Sequence, residues 1–360
     1  MPETITTPIT KLFGIKHPIL LAGMNVAAGP ELAAAVSNAG GLGVIGGLGY
    51  TPEFLKQQIG VLKENLTSPN LPFGIDLLLP QVGGNARKTN YDYTHGQLPE
   101  LIDIIIESGA KLFVSAVGVP PKEIVDKLHK AGIPVMNMIG APKHVEKALA
   151  AGVDIICAQG GEGGGHTGDV ATSILIPKVV DICRKHKSPL TGLPVSVVAA
   201  GGIYDGRGLA MSLCFGADAV WVGTRFVCAT EAGAPPRHQK AIVDAGYHDT
   251  VRTIIFTGRP LRVLRNEYID EWEQYKQNEI RDLTSKGIIP AQHDVEERSK
   301  RGGDDADPSL LIKYRPLLMG QVAGAIEDVK PAKEIVDEMI SGAIQALKGS
   351  NALIGPAPRM

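Results

Sequence analysis

The chain has 360 residues, which at roughly 150 residues per domain suffices for about two domains or for one large α/β barrel with an insertion. Its 36 Lys and Arg residues and 38 Asp and Glu residues give a net charge of −2, so nothing favours nucleic acid or an anionic membrane as a partner. No apolar run approaches the roughly 20 residues of a membrane span, and the N-terminus shows no signal segment. We therefore expect a cytoplasmic protein without nucleic-acid or membrane partners.

Glycine is in excess, with 43 of 360 residues, about 12% against a usual 7%. This excess indicates tight turns and close approach of the backbone to other groups. The four cysteines are too far apart for a C-x-x-C motif and lie in apolar stretches, so we expect small buried side chains and no metal site. They are Cys157, Cys183, Cys214 and Cys228.

Short runs rich in valine and isoleucine recur along the first 230 residues, and each is followed by a segment with helical spacing of its apolar residues. This alternation is typical of parallel βαβ units. The eight runs cover residues 18–23, 42–47, 72–80, 112–118, 134–140, 154–160, 194–203 and 219–226. Eight such strands close a barrel, whereas a doubly wound open sheet has fewer. We therefore predict an α/β fold of the (β/α)8 TIM barrel class.

Most of the predicted helices end at a glycine that stands one to three residues before the next strand. A left-handed residue is needed at such a position, and glycine adopts that conformation at little cost. The glycines are Gly40, Gly109, Gly132, Gly152 and Gly216.

The regular pattern breaks after the eighth predicted strand and returns near residue 331 with a helical segment that would complete the barrel. We therefore assign residues 1–229 and 326–360 to the barrel. Residues 230–325 are assigned to a helical insertion that caps one end and forms part of the substrate pocket. Within it, 298–308 are predicted to form a solvated loop.

Two glycine-containing turns near the end of the predicted barrel form a candidate phosphate site. Gly201 and Gly202 follow the seventh strand, and Gly223 and Thr224 lie at the eighth. In this fold the loops after strands seven and eight present backbone N–H groups to a phosphate, and glycine lets its oxygens approach. The alternative is a pair of tight turns without a ligand. We also leave open whether Arg225 faces the ligand or pairs with a neighbouring carboxylate.

The loop after the sixth strand has the sequence QGGEGGGHTGD over residues 159–169. Ordering so many glycines costs backbone entropy. A flat ligand that lies against the main chain would explain why glycines are nevertheless used here. His166 stands in this loop at the predicted barrel mouth, so it is our candidate acid, base or substrate-orienting residue. Seven further histidines lack such a setting and are interpreted as surface or packing residues: His17, His95, His144, His186, His238, His248 and His293.

Seven segments together point to a known family. They are HPILLAGMN (17–25), LAAAVSNAGGLGVIG (32–46), FGIDLLL (73–79), AQGGEGGGHTG (158–168), VVAAGGIYDGRG (197–208), GADAVWVGTRF (216–226) and GQVAGAI (320–326). This set resembles the nitronate monooxygenase family, formerly called 2-nitropropane dioxygenases. The resemblance spans nearly the whole chain. It extends to NADH:quinone reductases and flavin-dependent enoyl-ACP reductases, which have the same barrel fold.

The resemblance implies an FMN-binding barrel. The cofactor contacts that it implies are Ala22, Gly23, Met24, Asp76, Asn137, Gln159, Gly164, Gly165, Gly201, Gly202, Gly223 and Thr224. The first three would lie against the isoalloxazine, and the last four would bind the phosphate. Asp76 stands where relatives commonly have asparagine, so its charge beside a flavin that becomes anionic on reduction needs a compensating partner. Asn137 is a neutral substitute for a lysine found in some relatives.

The resemblance implies oxidation of alkyl nitronates or nitroalkanes by O2 to a carbonyl compound and nitrite. His166 would orient the nitro oxygens or remove the α-proton. One alternative is a reductase that passes electrons from NAD(P)H to a quinone or an enoyl thioester. Another is a barrel that binds a phosphorylated metabolite without flavin. Whether the chain acts alone or as a homodimer is left open.

Overall fold

The computed structural model describes residues 3–301 and 315–355. Its strands are β1 (Ile19–Leu21), β2 (Gly43–Gly47), β3 (Phe73–Leu78), β4 (Leu112–Ala116), β5 (Val135–Ile139), β6 (Ile155–Gln159), β7 (Gly165–His166), β8 (Ser196–Ala200), β9 (Ala219–Val222), β10 (Thr250–Thr253) and β11 (Leu261–Leu264). Eight of them form one parallel sheet in the order β1-β9-β8-β6-β5-β4-β3-β2. Leu20 bridges to Leu42 and closes the sheet. The predicted (β/α)8 TIM barrel is confirmed.

The α-helices of the described residues follow the strands as the sequence indicated. They are α1 (Pro8–Phe13), α2 (Pro30–Asn38), α3 (Pro52–Asn65), α4 (Leu98–Ser108), α5 (Lys122–Lys130), α6 (Val145–Ala150), α7 (Thr172–Cys183), α8 (Gly206–Cys214), α9 (Thr224–Val227), α10 (Pro236–Asp244), α11 (Glu267–Tyr275), α12 (Gln277–Ser285), α13 (Pro290–Arg301) and α14 (Ala332–Asn351). Helix α14 packs against α8 and α2 and completes the ring of barrel helices. Among these described helices, none combines the length and apolar character that a bilayer crossing requires.

The predicted left-handed glycines are confirmed. Gly40, Gly109, Gly132, Gly152 and Gly216 have φ angles of 95°, 76°, 74°, 92° and 90°. A residue with a Cβ is strained at such angles, which explains why glycine recurs where helices turn into strands.

The barrel buries two apolar layers because successive residues of a strand point to opposite faces. Ile75 and Phe113 face the outer helices, whereas Val44, Val114 and Cys157 fill the barrel interior. Three of the four cysteines are buried as predicted, but Cys214 at the end of α8 is exposed. It is exposed because it lies on the outward side of an amphipathic helix, a position that an apolar stretch alone does not reveal.

The insertion was predicted to be helical, but its described part also contains β10 and β11. These two strands pair with each other, and β11 also pairs with β7, the short strand in the glycine loop. The segment around β11 forms a strand because buried and exposed side chains alternate along it. Leu261 and Val263 are buried, while Arg262 between them is partly exposed. They pack with Ile269 and Trp272 into a small separate core.

The division into a barrel of residues 1–229 and 326–360 and an insertion of residues 230–325 stays a prediction. Part of the loop predicted over 298–308 is helical, because residues 298–301 form the end of α13. The remaining residues of that loop lie outside the described ranges.

One buried carboxylate joins three segments at the N-terminal end of the barrel. Asp154 precedes β6 and accepts hydrogen bonds from the Val135 N–H at 2.8 Å and the Ser188 hydroxyl at 2.6 Å. The Nε2 atom of His129, in the last turn of α5, lies 2.8 Å from the same carboxylate. Asp154 therefore connects α5, β5 and the chain that leads into β8.

We predict that Asp154→Ala lowers the free energy of unfolding by about 3 kcal/mol, because a buried N–H and a buried hydroxyl lose their acceptor. Urea denaturation followed by circular dichroism measures the loss. Asp126→Ala is the control, since Asp126 is exposed and pairs with Lys122 on the surface of α5. Similar small losses for both variants would contradict the connecting role of Asp154.

Candidate active site

A large cavity of about 1690 Å³ opens at the C-terminal ends of the barrel strands. A typical small-molecule pocket holds roughly 300–1,000 Å³, so this cavity has room for more than one ligand. Every residue that the sequence analysis assigned to the site lines it: Ala22, Gly23, Met24, Asp76, Asn137, Gln159, Gly164, Gly165, His166, Gly201, Gly202, Gly223 and Thr224. The structure thus brings these residues together, while the role of each stays a prediction.

One end of the cavity is formed by the two glycine turns after β8 and β9. Gly201 and Gly202 have φ angles of 87° and 77°, which turn the chain sharply below the cavity. Thr224 follows the second turn, and its Oγ1 accepts a hydrogen bond of 2.9 Å from the Gly320 N–H. This end is poor in side chains and rich in backbone groups. Arg225 forms an ion pair with Asp328 at 2.9 Å. Of the two alternatives left open for Arg225, the structure therefore supports pairing with a neighbouring carboxylate.

Two amide side chains hold the main chain around the cavity. Asn137 on β5 donates to the carbonyl oxygens of Ser115 at 2.9 Å and Gly118 at 2.6 Å. Its Oδ1 is buried and has no hydrogen-bond partner within the described residues. Gln159 at the end of β6 donates to the Gly164 carbonyl at 3.2 Å and so stabilises the glycine loop.

His166 lies in β7 and is held by the insertion. Its backbone position pairs with Leu261 of β11, and its Nε2 lies 3.1 Å from the Thr257 hydroxyl oxygen. Because Nε2 is engaged there, Nδ1 is the ring nitrogen left for a ligand. Burial and, to a smaller extent, the positive charge of Arg259 lower the pKa of His166 to about 4. The imidazole is therefore neutral at pH 7.

Arg259 also fastens the insertion to the barrel. Its Nε donates to Asn90 Oδ1 at 2.9 Å, and its Nη1 donates to the Val117 carbonyl at 3.1 Å. Asn90 belongs to the connection between β3 and α4, and Val117 follows β4. One guanidinium therefore joins the insertion to two barrel connections and places a positive charge near His166.

The sequence analysis missed several basic residues of this cavity. His144 and His238 were interpreted as surface or packing residues, but both line it. Further basic lining residues without an assigned role are Arg87, Lys143, Lys147, Arg237, Arg252, Arg259, Arg298 and Arg315. They come from the connections around α4 and α6 and from the insertion. No local motif marks them, because they reach the cavity only when these segments fold over the barrel.

The sequence model of nitronate monooxygenases matches residues 6–342. The chain belongs to the nitronate monooxygenase family. It is 34% identical to a probable nitronate monooxygenase of Staphylococcus saprophyticus, over 75% of this chain and 82% of that protein. It is also 32% identical to (3aS,4S,5R,7aS)-5-hydroxy-7a-methyl-1-oxo-octahydro-1H-indene-4-carboxyl-CoA dehydrogenase of Mycobacterium tuberculosis, over 97% of this chain and 99% of that protein.

Two solved structures resemble this nitronate monooxygenase family member over most of its length. FabK from Thermotoga maritima has a TM-score of 0.77 and 30% identity, with 98% of this chain and 100% of that chain covered. Nitroalkane oxidase from Streptomyces ansochromogenes has a TM-score of 0.75 and 26% identity, with 95% of this chain and 99% of that chain covered. Relatives are named as monooxygenases or dehydrogenases, and this family member is an oxidoreductase.

We predict that Arg259→Gln raises the pKa of His166, because loss of a nearby positive charge favours the imidazolium form. The value should stay below the ordinary 6.5, since burial is the larger cause and remains. Titration of the His166 ring signals by NMR measures this change. Arg265→Gln, which removes a surface partner of Asp270, is the control. An unaltered His166 titration in Arg259→Gln would exclude this electrostatic coupling.

Proposed function

We propose that this protein is an FMN-dependent enzyme that oxidises alkyl nitronates with O2 to a carbonyl compound and nitrite. The observation that carries the proposal is the placement of the His166 imidazole, which contacts Thr257 and lies near the charge of Arg259 at a cavity walled by glycine backbone. Family membership and the likeness to nitroalkane oxidase support it.

The residues present suit FMN as the cofactor. The turns at Gly201 and Gly223 offer backbone groups with little side-chain bulk, as a phosphate requires. Asp76 Oδ1 and Asn137 Oδ1 are buried without a hydrogen-bond partner within the described residues, and both side chains line the same cavity. Buried polar atoms are normally satisfied, so a bound ligand with polar edges would explain them. When bound, FMN would supply the redox chemistry.

The preformed nitronate anion is the expected form of the substrate. With a pKa of about 4, His166 is a weak base at neutral pH and is poorly suited to remove a proton from a neutral nitroalkane. A neutral imidazole can instead orient the substrate by donating a hydrogen bond from Nδ1–H, in the tautomer whose Nε2 accepts from the Thr257 hydroxyl. The positive charge of Arg259 favours an anion at this place, and the apolar Phe256 and Leu261 line the cavity nearby.

We predict that His166→Asn keeps bound flavin but lowers turnover of propionate-3-nitronate about 10- to 100-fold, since a hydrogen bond to a charged group is worth about 1.5–3 kcal/mol. Nitrite release measures turnover, and the visible spectrum of the purified protein measures flavin. His248→Asn is the control, because His248 is exposed on the insertion. Unchanged turnover in His166→Asn would remove this residue from the mechanism. A colourless protein that takes up no FMN would instead favour a flavin-free barrel for a phosphorylated metabolite.

A second candidate is reduction of an enoyl thioester of coenzyme A with NAD(P)H. The cavity volume favours it, because about 1690 Å³ exceeds the need of a cofactor and a small nitronate. Arg252 favours it too. This residue lines the cavity and lies opposite Arg262 in the β10–β11 pair, and its Nε is buried without a partner within the described residues. Two arginines side by side repel each other, and an anionic phosphate would relieve that repulsion.

We predict that Arg252→Gln raises the KM for a coenzyme A thioester about tenfold without changing kcat, since the residue would contact a remote phosphate and not the reacting atoms. The KM for a small nitronate should stay the same. Steady-state NADH consumption and nitrite release provide the two measurements. Anaerobic bleaching of the flavin by NADH would favour this candidate. Its absence, together with nitrite release from a nitronate, would favour oxidation of nitronates.

A further inference from the structure

The carboxyl group of Asp76 occupies an unusual place at the floor of the cavity. Asp76 lies in β3 between Ile75 and Leu77, which face the outer helices, so its own side chain points into the barrel. It is 2% exposed and lines the cavity. Its Oδ1 is buried and has no hydrogen-bond partner within the described residues. A polar atom in this position requires a partner from the cavity.

Two glycines confine this carboxyl group. A Cβ placed on Gly23 would overlap the carboxyl oxygen Oδ2 of Asp76, and a Cβ placed on Gly46 would overlap the backbone and Cβ of Asp76. The chain therefore lies directly against Asp76 on the sides of β1 and β2. The side chain is therefore closely packed on these two sides, and it lines the cavity.

Tyr50 and Cys157, whose ionisation the charge of Asp76 opposes, are both acids. Tyr50 follows β2, and Cys157 lies in β6 across the barrel interior. Burial raises the pKa of Asp76 to about 8, and burial together with the charge of Asp76 raises the pKa of Tyr50 to about 12. The same two causes raise the pKa of Cys157 well above its ordinary value. None of these groups can offset a negative charge on Asp76, so the carboxyl group keeps its proton at neutral pH.

We propose that Asp76 acts as a protonated carboxylic acid that donates a hydrogen bond from its O–H group to the cofactor, so that cofactor binding requires this proton. The proposal rests on the proposed FMN dependence. An ionised carboxylate has only acceptors, whereas the acid has one donor to offer. A neutral donor also tolerates a ring that becomes anionic on reduction, which a carboxylate would repel. The compensating partner expected from the sequence is then a proton and not a cation.

A titration of FMN affinity tests the proposal. Flavin fluorescence quenching by the full-length protein, stripped of flavin, is measured from about pH 6.5 to about pH 9.5, a range that brackets the ionisation of Asp76. The dissociation constant should be level at the acidic end and rise about tenfold per pH unit above pH 8, because only the protonated form binds. Asp76→Asn keeps a donor that does not ionise in this range, so its affinity should stay level. At each pH, the dissociation constant of the wild type is divided by that of Asp76→Asn, which removes the effect of the ionisation of FMN itself.

Asp169→Asn is the matched control, because Asp169 also lines the cavity but is exposed. This variant should show the same rise as the wild type. Parallel curves for wild type and Asp76→Asn would overturn the role of Asp76 while leaving FMN as the cofactor. Failure of the wild type to bind FMN at any pH would overturn the proposed function and this proposal together.

Infrared difference spectroscopy covers the case in which Asp76→Asn does not fold. Wild-type protein with 13C-labelled aspartate should show the carbonyl stretch of a protonated carboxylic acid at pH 7, and the band should disappear towards pH 9.5 as Asp76 ionises. A spectrum in which every aspartate is ionised at pH 7 would overturn the proposal.

Discussion

The pairing of β11 with β7 is the contact on which the candidate site depends. The glycine loop after β6 has little side-chain packing of its own, and its ordering is costly in backbone entropy. Pairing with β11 fixes Gly165 and His166, and Arg262 adds hydrogen bonds of 3.1 Å and 2.9 Å from Nε and Nη2 to the Gly161 carbonyl. The barrel therefore supplies the floor of the cavity, whereas the insertion orders the loop that carries the imidazole.

Burial gives this cavity an unusual distribution of charge. Asp76 at the floor and His166 in the glycine loop are both held neutral at pH 7, because each would have to ionise away from water. Arginine keeps its proton in proteins, so Arg252 and Arg259 remain positive at the wall formed by the insertion. The charge that acts on His166 is the positive charge of Arg259. Such a site would suit the anionic substrate and the cofactor proposed above.

The barrel could be predicted because its signals are local, whereas floor residues such as Gly23 and Asp76 were assigned only through the family resemblance. The strands follow from short runs of valine and isoleucine, and Gly109 or Gly152 marks a helix end within a few residues of the next strand. The insertion could not be predicted in this way. Arg259 and Asn90 are 169 residues apart in the chain and meet only in the folded protein. The same holds for His144 and His238, whose contact with the cavity depends on how separate segments fold over the barrel.

The protonation of Asp76 is a second property that the sequence alone could not predict. The family resemblance indicated that a charge at this position needs a compensating partner, whose nature was left open. The structure provides burial between two close glycine backbones instead, and burial removes the charge. Whether a carboxyl group is paired or neutral depends on how much water reaches it, which is a property of packing that the residue types alone do not specify.

The two candidate functions proposed here place a similar demand on the site. A nitronate and the enolate of a thioester are both anions formed next to a strongly electron-withdrawing group, so one neutral imidazole beside one arginine can serve either. What distinguishes the two is the remainder of the substrate, which would extend towards the insertion and residues such as Arg252. Substrate choice in this protein is therefore expected to depend on the insertion more than on the barrel.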